Sequence, residues 1–350
     1  MGDAASNLLE IELAIDRVEA QLAAELPAHV RAFAKAHAAG APAPAAPDLA
    51  GRVSTASLAK RALVHPELAL RAVALLRLVA PILIERDAGV AAALAANPTW
   101  PAYVALTAAR NTVARARFGR SALDILHRLS GVGDAPESST LPEPLAAWNT
   151  VEPPLPAKAI EEVSELVHER FGARPRATII RSGVARPRTF VEQAGSSATI
   201  VVPSILDTPA KRFAVLHELG HAVLNVSSVR AWPRSVDEAG GSFVARLMET
   251  EGALPPGWYS PHAGAARARR AQLARWLAQI ERAVDAGQPV PDHSLERVPW
   301  ALWHDPGAQA AYLRAEAIAD DLVARFGAAP VRLASELEAE ASRCDFNTVI

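Results

Sequence analysis

The chain has 350 residues, of which 50% are hydrophobic, so it can build one large or two medium-sized domains around a real core. Its formal net charge of -2 excludes the broad cationic field by which proteins hold nucleic acid or an anionic membrane. The single cysteine, Cys344, allows no internal disulfide, and the N-terminus lacks the basic-then-apolar pattern of a secretory signal. These features predict a cytoplasmic protein.

Residues 1–130 predict an N-terminal helical lobe, because their apolar side chains recur every three or four positions. The most apolar stretch, residues 68–84, contains Arg71 and Arg77 and is too short and too charged to span a bilayer. We therefore expect a buried helix there. Residues 131–157 are rich in proline, glycine and serine, which predicts a linker.

Residues 158–254 predict a mixed α/β core. A helix is expected at about 157–171, followed by short strands at 177–181, 189–192 and 198–202. Since Pro203 cannot donate to a strand ladder, the third strand should end there or lie at an edge. Asp207, Thr208 and Pro209 supply an N-cap and a first-turn proline for the next helix, and Asn225 is a plausible stop.

Residues 255–350 predict a C-terminal helical lobe, with breaks at proline and glycine. One of its helices carries four arginines followed by Glu281 and Asp285, a pattern typical of a solvated helix face. Further along, four charged residues are spaced for pairing within one helix. The arginines are Arg267, Arg269, Arg270 and Arg275, and the second group is Glu316, Asp320, Asp321 and Arg325.

The run His-Glu-Leu-Gly-His at 217–221 predicts a metal site. His217 and His221 lie four residues apart, so on a helix both imidazoles can reach one ion, while Glu218 can reach a water bound to it. Zinc lowers the pKa of such a water, and a carboxylate can then act as general base and acid in peptide hydrolysis. The alternative is a surface pair of histidines beside a salt-bridging glutamate.

A catalytic zinc takes a third protein ligand, and Glu238 is the best candidate. It opens a helix expected over 235–249, in which Gly240 and Gly241 would be unfavourable unless that helix closely approaches the motif helix at Gly220. Ser235 and Glu238 also match a capping box, in which Glu238 would only satisfy backbone donors. The other candidates for the third ligand are Asp237, Glu249 and Glu251.

These motifs resemble the oligoendopeptidase F and thimet oligopeptidase group of zinc peptidases, which are gluzincins with a glutamate as third ligand. The similar segments are His-Glu-Leu-Gly-His-Ala-Val at 217–223, Glu-Ala-Gly-Gly-Ser-Phe at 238–243, residues 116–123, residues 276–298, and Trp303-His304 with Tyr312. They occur in the family's order. The chain departs from the family in being much shorter, in having Leu224 where a histidine is common, and in retaining few tyrosines near Tyr312.

The resemblance implies a mostly α, α+β protein with helical lobes around a zincin core and a small mixed β-sheet beside the His-Glu-x-x-His helix. It also implies one Zn2+ per chain, peptide substrates, and His304 and Tyr312 as hydrogen-bond donors to the oxyanion. An edge strand, expected at 198–202, would pair with the substrate backbone. Otherwise His304 is a surface or helix-start residue and Tyr312 a core residue.

Two further interpretations stay open. A regulator-cleaving metallopeptidase of the ImmA/IrrE kind explains residues 158–255 about equally well, but leaves the flanking helical regions without a role. A zinc-containing scaffold that binds peptides without cleaving them explains the ligands, but not the retention of Glu218.

Overall fold

The computed structural model describes residues 99–132, 150–156, 158–171, 177–184, 187–193, 197–227, 233–250, 263–289 and 306–326, together with short pieces within 28–41, 252–260, 297–302 and 336–340. These residues form a mostly helical α+β fold with one small mixed sheet, as predicted. In chain order the elements are α1 (Trp100–Phe118), α2 (Ala122–Leu129), α3 (Lys158–Phe171), β1 (Thr178–Ser182), β2 (Arg188–Gln193), β3 (Ser197–Pro203), α4 (Pro209–Ser227), α5 (Arg234–Thr250), α6 (Ala263–Asp285) and α7 (Ala308–Phe326).

Helix α4, which carries the metal motif, begins where the sequence predicts. The Thr208 hydroxyl accepts a hydrogen bond from the Lys211 amide at 3.3 Å, and Pro209 takes the first helical position. The predicted stop at Asn225 is wrong, because the helix continues to Ser227. No described residue other than glycine has a positive φ, so Asn225 does not adopt the left-handed conformation that would end a helix.

The sheet has the strand order β1-β3-β2, with β1 parallel and β2 antiparallel to the central strand β3. The prediction that residues 198–202 form an edge strand is therefore wrong. Their apolar side chains are covered on both faces: Ile200 and Val202 belong to the main core, whereas Val201 packs against Ala34. A strand buried on both faces suits the middle of a sheet. It ends at Pro203, as expected.

Helices α4 and α5 approach each other closely at their glycines. A Cβ added at Gly220 would lie 2.7 Å from Cα of Gly241, and one added at Gly240 would lie 2.9 Å from Leu224. The predicted reason for the glycines is thus confirmed: side chains at these positions would push the two helices apart.

Helix α7 packs against α5 and shares its core, to which it contributes Ala315, Ile318, Ala319 and Leu322. Arg246 of α5 pairs with Glu316 and Asp320 of α7, so the prediction that these two pair within their own helix is wrong. Only Asp321 and Arg325 pair as predicted, at 2.8 Å. The predicted lobe and linker boundaries stay predictions.

A second apolar cluster joins α1 to α6 and includes Tyr103, Trp276 and Ile280. Two acids at the C-terminal end of α6 fix neighbouring segments: Asp285 accepts a hydrogen bond from Asn111 of α1 at 3.0 Å, and buried Glu281 accepts one from the Gly307 amide at 2.9 Å. These two acids therefore hold neighbouring segments of the chain together.

Buried Arg212 of α4 joins three separate parts of the chain. Its guanidinium pairs with Glu152 and donates to the carbonyl oxygens of Pro153, Leu206 and Gly257. The segment before α3 is also held by backbone hydrogen bonds from Glu152 and Leu155 to residues 206–207. The last residues of the predicted linker are thereby attached to the start of the motif helix.

The predicted helix at 68–84, the rest of the N-terminal lobe before residue 99, most of the linker and Cys344 lie outside the described residues, apart from short pieces within 28–41. Within the described part of the chain, no helix combines the length and apolar character that a membrane crossing requires.

Candidate metal centre

His217 and His221 of α4 meet Glu238 of α5 at a buried point between the two helices. His217 Nε2 lies 3.0 Å from Glu238 Oε2 and 3.1 Å from His221 Nε2, and His221 Nε2 lies 3.5 Å from Glu238 Oε2. The three residues that the sequence singles out as ligands thus bring their donor atoms together.

The glycine contact between the helices produces this convergence. A Cβ added at Gly241 would lie 2.9 Å from Nδ1 of His217, so the imidazole rests directly against the backbone of α5. Its outer face stacks on Phe213, with ring centroids 6.3 Å apart. Without the glycine, the ring could not take this position and direct Nε2 toward Glu238.

The donor set fits a divalent metal such as zinc. Zn–N and Zn–O bonds of about 2.0–2.1 Å in a tetrahedral site place neighbouring ligand atoms roughly 3.3 Å apart. The observed separations of 3.0, 3.1 and 3.5 Å match one triangular face of such a tetrahedron. Two imidazoles and a carboxylate are also a set found in catalytic zinc sites, which keep a further position open. The described residues therefore contain a possible metal site.

Asp237 and Arg234 contact the outer atoms of the ligands. Asp237 Oδ1 lies 3.4 Å from Nδ1 of His221, and Arg234 Nε lies 3.7 Å from Oε1 of Glu238. In each case the contact is to the ligand atom that faces away from the convergence point. Such contacts fix the orientation of a ligand and, for a histidine, its tautomer.

Two of the candidate ligands, His221 and Glu238, have strongly shifted pKa values. Burial alone would lower the pKa of His221, but the negative charges of the nearby Asp237 and Glu238 carboxylates hold that pKa well above its ordinary value. Burial alone would raise the pKa of Glu238, yet hydrogen bonds and charge from His217 and His221 hold it well below its ordinary value. Without a metal, His221 is therefore cationic and Glu238 anionic.

Glu218, the candidate general base, is held by the edge strand β2. Its Oε2 accepts a hydrogen bond from the Thr189 amide at 2.6 Å, and its backbone carbonyl accepts one from the Thr189 hydroxyl at 2.8 Å. Thr189 of β2 thus contacts the motif helix at Glu218, the residue that follows the first histidine ligand. Nothing in the sequence identifies this contact, because it depends on how the sheet meets the helix.

Tyr312 of α7 lies within reach of the charges of the two site glutamates. The negative charge of Glu238, then burial, and then the charge of Glu218 raise the pKa of its phenol, while Arg234 and Arg270 oppose the rise. The guanidiniums of these arginines lie 5.8 and 5.6 Å from the tyrosine ring centroid. The phenol therefore stays protonated and can donate a hydrogen bond. His304 lies outside the described residues.

Of the alternatives for the third ligand, Asp237 contacts the outer nitrogen of His221. Glu249 pairs with Arg267, and Glu251 lies outside the described residues. The capping-box alternative for Glu238 is not observed, because α5 begins at Arg234 and the Ser235 hydroxyl donates to the Gly131 carbonyl at 3.3 Å.

Sequence reasoning missed the arginines around the site. Arg267 pairs with Glu249 and lies 5.7 Å from the Phe213 ring centroid, and Arg270 lies over Tyr312. The predicted solvated face is therefore wrong for Arg267. Arg234 could have been found from its spacing of four residues to Glu238. The positions of Arg267 and Arg270 could not, since they depend on contacts between α6 and other helices.

No family model matches the sequence, and no curated protein does. Three solved chains share weak similarity with this one, among them the following two. One is a carboxypeptidase from Pyrococcus furiosus in an apo-Mg form, with 12% identity, a TM-score of 0.34, and coverage of 96% of this chain and 72% of that one. The other is described as the BsuCP crystal structure, with 10% identity, a TM-score of 0.32, and coverage of 91% and 69%. TM-scores this low do not establish a shared fold or a shared activity.

Proposed function

We propose that the protein is a zinc-dependent peptidase that hydrolyses internal bonds of peptides or extended polypeptides. The observation that carries the proposal is the convergence of His217 Nε2, His221 Nε2 and Glu238 Oε2. Glu218 follows His217 in the same helix. A zinc ion held by the three donor atoms would supply a Lewis acid able to make water nucleophilic near neutral pH.

The roles of the protein's own groups follow from where they lie. Glu218 takes the proton from the attacking water and delivers it to the leaving amine. Tyr312, whose phenol is protonated and lies near Glu238, donates a hydrogen bond to the carbonyl oxygen as negative charge develops there. We assign His304 the same donor role on the basis of the family resemblance.

The substrate backbone would extend along β2, not along the central strand. Among the strands of the described residues β2 lies at an edge, and its Thr189 amide donates to Glu218, so a peptide added at this edge would lie next to the candidate general base. Helices α5 and α7 contribute Glu238 and Tyr312 to the site.

The test compares metal content and peptide cleavage in the parent protein and Glu218→Gln. Each protein is stripped with a chelator and reloaded with zinc, and a mixed peptide library is followed by mass spectrometry. We expect both proteins to bind zinc and only the parent to cleave, with a loss of about 10²-fold or more in the variant. Glu162→Gln, an exposed site on α3, is the matched control and should cleave normally.

Other outcomes would favour the alternatives. Zinc retention without cleavage by the parent would favour a peptide-binding scaffold. Cleavage of a folded repressor but of no free peptide would favour the regulator-cleaving class.

A further inference from the structure

Helix α6 brings two arginines to the candidate site, and they differ in their partners. Arg267 is half-buried and pairs with Glu249 of α5. Arg270, one turn later, is exposed, and its guanidinium lies 5.6 Å from the ring centroid of Tyr312. No carboxylate among the described residues pairs with Arg270. A cation therefore stands at the solvent side of the site with its hydrogen-bond donors available.

The third arginine at the site has a different task. Arg234 reaches the same tyrosine ring from α5, at 5.8 Å, but its Nε also lies 3.7 Å from Oε1 of Glu238. Its charge thus offsets that of a buried ligand. Arg270 has no such contact, although its position over the ring of Tyr312 holds it beside the group proposed to bind the substrate carbonyl.

The charges around the site favour an anionic ligand. Among the residues that the structure describes, the site has three carboxylates, from Glu218, Asp237 and Glu238, against the guanidiniums of Arg234 and Arg270. Once a divalent ion is bound, one positive charge is left over. Because a guanidinium presents a planar pair of donors that matches a carboxylate, this surplus suits that anion particularly well.

We propose that Arg270 binds a carboxylate of the substrate, so that the protein prefers peptides with a free carboxylate near the scissile bond. This inference rests on the proposed peptidase function. The carboxylate is either the peptide's C-terminus or an Asp or Glu side chain. The contact with the ring of Tyr312 orients the guanidinium of Arg270. The distance from the bound carboxylate to the scissile bond therefore depends on where the phenol of Tyr312 lies.

The test measures binding directly, so it does not depend on cleavage. Zinc-loaded Glu218→Gln protein is immobilised and exposed to three forms of one random hexapeptide library: free acids without Asp or Glu, the same sequences as C-terminal amides, and amides with one added Glu. Mass spectrometry gives the retained amount of each form. We expect at least one carboxylate-bearing form to be retained about tenfold better than the plain amides, as for a hydrogen bond to a charged group.

Two added substitutions assign that preference to a residue. Arg270→Gln should abolish it and Arg270→Lys should keep part of it, because lysine retains the charge but not the paired donors. Arg275→Gln, an exposed arginine on another face of α6, should leave the preference unchanged. Retention of free acids alone identifies the C-terminus as the bound group, and retention of Glu-bearing amides alone identifies a side chain.

The inference is overturned by equal retention of all three forms, by no retention of any form, or by a preference that persists in Arg270→Gln. Its failure can be told apart from failure of the proposed function. If the parent protein cleaves peptides without any carboxylate preference, only the proposed role of Arg270 is refuted. If the carboxylate preference depends on Arg270 but the parent protein cleaves no peptide, only the proposed peptidase activity is refuted.

Discussion

The Asp237 carboxylate lies 3.4 Å from Nδ1 of His221, on the opposite side of the imidazole from Nε2, which faces Glu238. An acceptor at Nδ1 fixes the tautomer in which Nε2 carries the lone pair, which is the form that binds a metal. Asp237→Asn should therefore lower zinc affinity about 10- to 100-fold. Competition with a chromophoric chelator measures this, with Asp321→Asn on α7 as the control. Equal affinities in the two variants would contradict the role of Asp237.

Zinc binding should release a proton from His221. The raised pKa of this imidazole means that it keeps its proton at pH values above 6.5, whereas a metal ligand must be neutral. Glu238 has no proton to lose at neutral pH, because its pKa lies well below the ordinary value. Zinc affinity should thus rise as pH increases from 6.5. Calorimetry at pH 7 in buffers of different ionisation enthalpy counts the protons, and Asp237→Asn should release fewer.

Alanine at Gly220 should destabilise the protein. Its methyl group would lie 2.7 Å from Cα of Gly241, and backbone in a packed helix pair cannot easily move away. We expect a loss of about 1–3 kcal/mol in the free energy of unfolding, as for other overpacked cores. Chemical denaturation of the zinc-free protein measures it.

The matched control is Gly264→Ala in the first turn of α6, where an added Cβ meets nothing within 4 Å. There alanine should be neutral or stabilise the helix by up to about 1 kcal/mol. A similar loss in both variants would show that the close approach of α4 and α5 is not the cause.

His127 of α2 should make stability fall in mild acid. Burial, followed by the charge of Arg282 and against that of Asp124, lowers the pKa of His127 to about 4. In the unfolded chain this histidine binds a proton near pH 6.5, whereas in the folded protein it does so only near pH 4. The free energy of unfolding is therefore highest above pH 6.5 and falls as the pH is lowered toward 4. The decline due to this group is about 3 kcal/mol.

Denaturant unfolding of the parent and of His127→Gln, with zinc removed, tests this prediction. The glutamine variant should lose less stability than the parent between pH 6.5 and 4, since all other titrating groups are common to both. Parallel pH profiles would contradict it.

Local sequence signals predicted much of this protein. Thr208 and Pro209 determined the start of α4, and the glycines at 220, 240 and 241 indicated the helix contact that brings Glu238 to the histidines. What could not be predicted depends on tertiary contacts. The order of the strands made 198–202 central, and a long-range contact gave Glu218 its partner Thr189. Predictions of ion pairs within one helix were wrong where a side chain has a partner on another helix, as Glu316 and Asp320 have in Arg246.

Buried Arg212 also sets a limit on how the chain can be shortened. A fragment starting at residue 158, the predicted edge of the core, would lack both Glu152 and the Pro153 carbonyl and leave the Arg212 guanidinium without its counter-ion. Breaking such a pair typically costs about 3–5 kcal/mol. We therefore expect a fragment that starts at residue 158 to be less stable than one that starts before Glu152, although the composition of residues 131–157 is that of a linker.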